Sequence, residues 1–209
     1  KRKTASTKPA HGTGEWAASN VNIQSGCEHD CAYCYAKAMA VRFHRTTPAG
    51  WRKPRATTAN VGRRFTKRGG RIMFPSSHDI TPENVDKCVA VLKAMLSAGN
   101  EVLIVSKPDP DCISRLCKEL KPFRARVLFR FTIGSADDAV LKYWEPGAPS
   151  FSQRLAALKH AFKQGYGTSV SCEPMLDEKI GAVIDAVRAH VTDAIWLGKA
   201  NRRRPMVAD

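Results

Sequence analysis

The run Gly26-Cys-Glu-His-Asp-Cys-Ala-Tyr-Cys-Tyr35 decides how this chain is read. It follows a strand-like stretch at 17–24 and precedes a helix-like stretch at 36–44, so one tight loop gathers Cys27, Cys31 and Cys34 between two regular elements. Three thiolates from one loop hold three irons of a [4Fe–4S] cluster and leave the fourth iron without a protein ligand. An iron left open in this way binds and activates a small molecule. Zinc is the alternative, because Cys27, His29, Cys31 and Cys34 together form a mixed tetrahedral set. Structural zinc loops usually join two separated ligand pairs, and the chain has no second Cys-x2-Cys or His-x3-His. Ligand softness and spacing therefore favour the cluster.

The rest of the composition sets bounds. With 209 residues and 43% hydrophobic content, the chain buries one good core and is too short for two large domains. No apolar run approaches the roughly 20 residues that cross a bilayer, and the opening Lys-Arg-Lys-Thr lacks the apolar centre of a signal peptide. The expectation is a cytoplasmic protein with no membrane partner. Seven cysteines, an odd number led by a triplet, fit a reducing compartment better than a disulfide framework. The first residue is Lys rather than Met, which reads as numbering from within a longer protein.

The net charge of +15 is unevenly placed. Residues 1–9 carry four basic side chains, residues 51–71 carry eight and residues 202–204 carry three, with no acid in any of these segments. Elsewhere 19 basic side chains balance 19 acidic ones. Such clusters suit phosphate backbones, and Trp51 and Phe65 interleave with the charges as stacking surfaces for bases. DNA or RNA is thus an expected partner, with Arg63, Arg64, Lys67 and Arg68 as its candidate contacts. The alternative is that these loops only keep the protein soluble.

Beyond the loop, strand and helix signals alternate. Apolar runs at 71–76, 101–106, 126–133, 167–172 and 193–199 join the first to make six strands. Helical spacing of Val85, Cys88, Val89, Leu92, Met95 and Leu96 follows Thr81-Pro82, read as an N-cap and first-turn proline. Asp109-Pro110 repeats that signal, Ser150-x-x-Gln153 is a capping box, and Ile180, Val183, Ile184, Val187 and Val191 form a further stripe. Six such units predict a partial (β/α)6 barrel over 17–200, with a basic arm at 1–16, a basic connection at 45–70 and a basic tail at 201–209. In barrels the chemistry gathers at the C-terminal strand ends. Those ends carry Ser76-Ser77-His78-Asp79, Ser106-Lys107, Thr132, Ser135, Cys172-Glu173 and Gly198-Lys199.

The Cys-x3-Cys-x2-Cys spacing, with Tyr33 just before the last cysteine, resembles the cluster loop of radical S-adenosylmethionine (SAM) enzymes. The segments Phe74-x-x-Ser77-His-Asp-Ile80, Val105-Ser-Lys107, Arg130-Phe-Thr-Ile-Gly-Ser135 and Trp144-Glu-Pro-Gly-Ala-Pro-Ser150 are similar to the spore photoproduct lyase family, from about residue 17 to 199. The resemblance implies a [4Fe–4S] cluster on Cys27, Cys31 and Cys34, and SAM as second cofactor. It places Tyr33 and Tyr35 by the adenine, with Asp79, Lys107 and either Thr132 or Ser135 on SAM, and Lys107 on its carboxylate. Ser77 and Glu173 join the cofactor-binding set as polar rim residues, and His78 is a further candidate. It also implies an external one-electron reductant of flavodoxin or ferredoxin type. One departure stands out: the family's hydrogen-donor cysteine near the end of the second strand is replaced by Pro75-Ser76-Ser77. The implied activity is reductive SAM cleavage to a 5′-deoxyadenosyl radical with an undefined substrate, nucleic acid being one class. The rival is a non-catalytic, zinc-stabilised nucleic-acid-binding module.

Overall fold

The computed structural model describes residues 12–57 and 60–199. Residues 1–11 of the basic arm and the tail at 201–209 lie outside the described residues. After β1 (Ser19–Asn20), two short strands, β2 (Gln24–Ser25) and β3 (Arg55–Ala56), pair only with each other, antiparallel. The main sheet adds β4 (Ile72–Phe74), β5 (Val102–Ser106), β6 (Val127–Thr132), β7 (Gly167–Cys172) and β8 (Ile195–Leu197). Its order is β1-β4-β5-β6-β7-β8, parallel throughout. The edge strands β1 and β8 do not pair, so the barrel stays open, the partial (β/α)6 form that the alternation predicts.

The helices are α1 (Tyr35–Arg42), α2 (Pro48–Trp51), α3 (Val85–Ser97), α4 (Pro110–Glu119), α5 (Asp138–Trp144), α6 (Phe151–Lys163) and α7 (Ile180–Val187). Local chemistry sets several starts. Asp109 accepts from Cys112 N at 2.9 Å to cap α4, and Ser150 with Gln153 closes the capping box of α6. At α3 the start differs from the Thr81 expectation. Asn84 is the N-cap residue, and its Oδ1 accepts from Thr81 N at 3.0 Å, so Thr81-Pro82 belongs to the turn before the helix.

Residue alternation along each strand separates two environments. Ile72, Phe74, Val102, Ile104, Phe129, Phe131, Val170 and Cys172 face the helices in one apolar core. Met73, Val105, Thr132 and Ser171 point the other way, into the barrel. One layer deeper, Arg130 is 3% exposed and lies 4.8 Å from the ring centroids of both Trp16 and Trp196. Trp16 precedes β1 and Trp196 sits on β8, and their rings pack against each other with centroids 5.8 Å apart, so this cation–π cluster bridges the open side from within.

The 45–70 connection is more than a linker. It holds α2 and β3, and Trp51 is only 3% exposed, packed with Cys27 and Ala40. Phe65 packs partly buried against the main core. Neither aromatic offers the open face for stacking bases that their interleaving with arginines suggests. The first strand is also shorter than 17–24, because after Asn20 the chain turns inward and buries Val21 and Ile23 beneath the loop that follows.

Candidate cluster and cofactor site

A cavity of about 620 Å³ opens at the C-terminal strand ends. Cys27, Cys31 and Cys34 all line it, opposite Thr132, Ser171 and Glu173. The loop that carries the thiols is fastened on both sides. Cys27 N donates to Trp51 O at 3.0 Å, and Ala32 N donates to Trp144 O at 2.9 Å. Gly26 has φ +101, and a Cβ there would lie 2.7 Å from Trp51 O, so only glycine lets the loop turn under α2. On the other side a Cβ on Gly147 would stand 2.5 Å from Glu28 O. The Trp144–Ser150 segment, notable in the sequence only for its family resemblance, is thus the outer brace of the loop.

Asp79 grips the loop from the barrel side. Its carboxylate accepts from Lys107 N at 2.7 Å and Ser106 Oγ at 3.0 Å, lies 2.9 Å from His29 Nδ1 and faces Lys107 Nζ at 3.4 Å. Burial alone would raise this carboxyl, but the Lys107 ammonium and then His29 outweigh it and hold Asp79 well below the usual carboxylate range. Lys107 is itself penalised by burial, yet Asp79 and the neighbouring acidic groups keep it charged well above the usual lysine value. Its ammonium sits 5.8 Å over the Tyr33 ring. His78 is buried, with both ring nitrogens engaged: Nε2 accepts from Ile23 N at 3.2 Å and Nδ1 donates to Asp79 O at 2.9 Å. Burial lowers its pKa, so it is a neutral brace between the loops after β1 and β4.

A second buried carboxylate, Glu145, holds the loop from outside. The Tyr33 hydroxyl donates to Glu145 Oε1, while Arg154 Nη2 lies 2.5 Å from Glu145 Oε2 with both side chains at 0% exposure. Arg154 also donates to Pro149 O at 2.8 Å and Thr132 O at 3.2 Å. Glu145 drew notice in the sequence only through its family segment. Asn22 is a further omission: Oδ1 accepts from Ser76 N and Ser77 N at 2.7 and 3.0 Å, setting the loop after β4.

The expected site residues separate as follows. Tyr33, Tyr35, Ser77, Asp79, Lys107, Thr132 and Glu173 come together at the cavity. Tyr35 is 58% exposed at the mouth, its hydroxyl 2.5 Å from Ser76 O. Ser135 does not join them: it is fully buried, donates to Asp177 and accepts from Asp137 N at 2.9 Å. Glu173 stands across from the loop, its carboxyl raised by burial and then by Glu15. Glu15 and Trp16 line the same wall, so residues 12–16 belong to the site rather than to a separate arm. Cys172 points into the helix-facing core, as do Cys88, Cys112 and Cys117. Arg63, Arg64 and Lys67 are exposed, but their segment leaves the cavity. Asn60 bonds Asn22 O near the mouth at 2.6 Å, whereas Arg68 bonds Ser19 Oγ and Asn100 Oδ1 at the N-terminal strand ends, at 3.2 and 2.8 Å.

The donor set fits an iron–sulfur cluster. Burial pushes the free Cys27 and Cys34 thiols up and Cys31 to about 12, so thiolates form here only against a strong positive charge, which iron supplies. The His29 ring turns to Asp79 rather than completing a zinc set with Cys31 and Cys34. The profile of the radical SAM superfamily matches residues 21–188. The chain belongs to that superfamily. Its cofactors are a [4Fe–4S] cluster and SAM. Among solved structures, spore photoproduct lyase complexed with dinucleoside spore photoproduct aligns with TM-score 0.60 and 16% identity over 84% of this chain and 54% of that one. Streptococcus suis SuiB bound to S-adenosylmethionine aligns with TM-score 0.57 and 10% identity over 90% and 40%. At these identities the likeness speaks for the fold. Protein ORF301 of Acidianus two-tailed virus is 25% identical over 172 residues, 77% of this chain and 56% of its own length. The chain therefore spans about half the length of the relatives it matches.

Proposed function

We propose that this chain cleaves SAM reductively and abstracts a hydrogen atom from a nucleic-acid substrate drawn into the cavity. One observation carries the reading: the three loop cysteines and the polar ends of β4 to β7 share a single cavity. When bound, the cluster and SAM supply a one-electron cleavage that yields a 5′-deoxyadenosyl radical, able to take hydrogen from carbon. The chain's own residues then bind and orient. Cys27, Cys31 and Cys34 hold the cluster, and the Lys107 ammonium, kept charged by Asp79, answers the SAM carboxylate. Tyr33 and Tyr35 flank the adenine, while Thr132, rather than Ser135, offers the hydroxyl contact. Ser77 and Glu173 complete the polar wall, and buried Trp51 and Ala40 keep water from the loop's back.

The basic balance supports a polymeric anion, and a spore photoproduct lyase structure holds a dinucleoside lesion. A nucleic-acid strand, unlike a small molecule, reaches both the mouth and Arg63, Arg64, Lys67 and Arg68 along the outside of β1. The reaction differs from that of the lyase family in its last step. Ser76 and Ser77 stand where a donor thiol is expected, and among the described residues no cysteine outside the loop lines the cavity. The four cysteines outside the loop, Cys88, Cys112, Cys117 and Cys172, are unpaired thiols, in keeping with a reducing cytoplasm. No described helix is long and apolar enough to cross a membrane. The test is anaerobic incubation of reconstituted protein with dithionite and SAM, followed by chromatography for 5′-deoxyadenosine. The parent should form it and Cys31→Ala should not. A fully iron-loaded parent that forms none overturns the reading.

A further inference from the structure

The cluster loop runs directly into α1, whose outer face is unusual. Cys34 caps the helix, its Sγ accepting from Lys37 N at 3.4 Å. Tyr35, Met39 and Phe43 then repeat at a spacing of four, so they form one stripe, and all three are exposed, at 58%, 39% and 54%. Those exposures are high for an apolar stripe on a helix that begins beside a buried site. The rim of the stripe is wholly basic. Residues 31–78 contain eleven Lys and Arg side chains and no Asp or Glu. The acid just before them, Asp30, is already taken by Lys37 at 2.6 Å and Arg52 at 2.5 Å. Arg42, Arg45, Lys53 and Arg55 are exposed and have no acidic partner among the described residues.

We propose that the exposed face of α1 is the docking surface for an acidic one-electron donor protein of the flavodoxin class. This deepens the function proposed above and rests on it. Three observations favour that occupant. First, Met, Phe and Arg together are the residues that protein interfaces enrich, and an acid-free rim complements an acidic partner. Second, the Phe43 ring already carries the Arg42 and Arg45 guanidiniums at 5.8 and 5.4 Å, so a base stacking there would have to displace one. Third, α1 has eight residues and Phe43 is its C-cap, so the whole stripe lies within about 14 Å of the Cys34 end. A donor seated on Met39 and Phe43, the two stripe residues that do not line the cavity, therefore stands beside the cluster loop. The transfer moves one electron from the donor, which is oxidised by one unit, to the enzyme, and no atom crosses. The chain's own ends do not suit the face, since residues 1–9 and 202–204 are basic.

The test uses the reconstituted enzyme carrying Met39→Glu and Phe43→Glu, both at exposed positions, beside the parent. Affinity for reduced, acidic flavodoxin is measured by fluorescence titration at low and high salt, with a labelled single-stranded oligonucleotide titrated in parallel. The double variant should bind flavodoxin roughly tenfold or more weakly, and the parent's affinity should fall as salt rises. Flavodoxin-driven formation of 5′-deoxyadenosine should drop at limiting donor, while dithionite-driven formation stays at the parent's rate. Unchanged flavodoxin affinity overturns the proposal, and so does a loss confined to the oligonucleotide, which would give the face to nucleic acid. If the parent yields no 5′-deoxyadenosine even with dithionite, the function reading fails by itself, and the titration still decides whether the face is a docking surface.

Discussion

Two buried carboxylates hold the cluster loop from opposite sides, and they do so under different conditions. Glu145 and Arg154 are sealed, at 0% side-chain exposure each, and their contacts run to Tyr33, Pro149 O and Thr132 O. Asp79 and Lys107 keep 11% each and face the cavity. The sealed pair has nothing left to offer a cofactor, so its work is to fix Tyr33. The open pair retains an ammonium that is charged, oriented and within reach of an incoming carboxylate. The same ion-pair chemistry is therefore structural in one place and available for binding in the other, and access to the cavity makes the difference.

The largest expected effect breaks the sealed pair. Arg154→Met leaves Glu145 as an uncompensated buried charge and should cost about 3–5 kcal/mol in urea unfolding. Adding Glu145→Leu should return much of that loss. A single-variant cost under about 1 kcal/mol would show that the pair does not brace the loop.

The next effect concerns the open pair. Lys107→Ala should weaken SAM binding by roughly tenfold or more, about 1.4 kcal/mol, while iron content stays at the parent's level. Unaltered SAM affinity measured by equilibrium dialysis would rule Lys107 out as the carboxylate's partner.

A pH series sharpens the contrast further. A carboxyl depressed on folding, as Asp79 is, adds stability that is complete above its unfolded pKa of about 3.9 and is lost as pH falls through the lower folded value. The stability gap between the cluster-free parent and Asp79→Asn should thus be flat from about pH 7 to 5 and close only below about pH 4. A gap that closes near neutral pH would mean that another group carries the linkage.

The smallest effect lies furthest from both pairs. Replacing Arg63, Arg64, Lys67 and Arg68 with Gln should lower the slope of log affinity for nucleic acid against log salt by roughly 0.7 to 0.9 for each phosphate that is no longer neutralised. Iron content and SAM binding should not change. A parent-like slope would reduce this segment to a solvated flank.

Much of the molecule was legible because its causes are local. The cysteine spacing, the Asp109 cap and the Ser150 capping box involve residues three or four apart, and the strand alternation repeats every second residue. The 45–70 segment, linker-like in composition, shows the limit. Its charges dominate that composition, yet one tryptophan, Trp51, fixes it by burying against Cys27, 24 positions earlier in the chain.

The sequence by itself determined the three-cysteine loop, the six-strand alternation and the polar rim, since each rests on a pattern that chain neighbours enforce. Only the tertiary structure decided that Thr132 and not Ser135 reaches the cavity, that Glu145 anchors Tyr33 across 112 positions and that Asn22 pins Ser76 and Ser77 across 54 and 55. A polar side chain looks alike in sequence whether water or a buried partner satisfies it. Which of the two it meets depends on the distant segment that folding brings beside it.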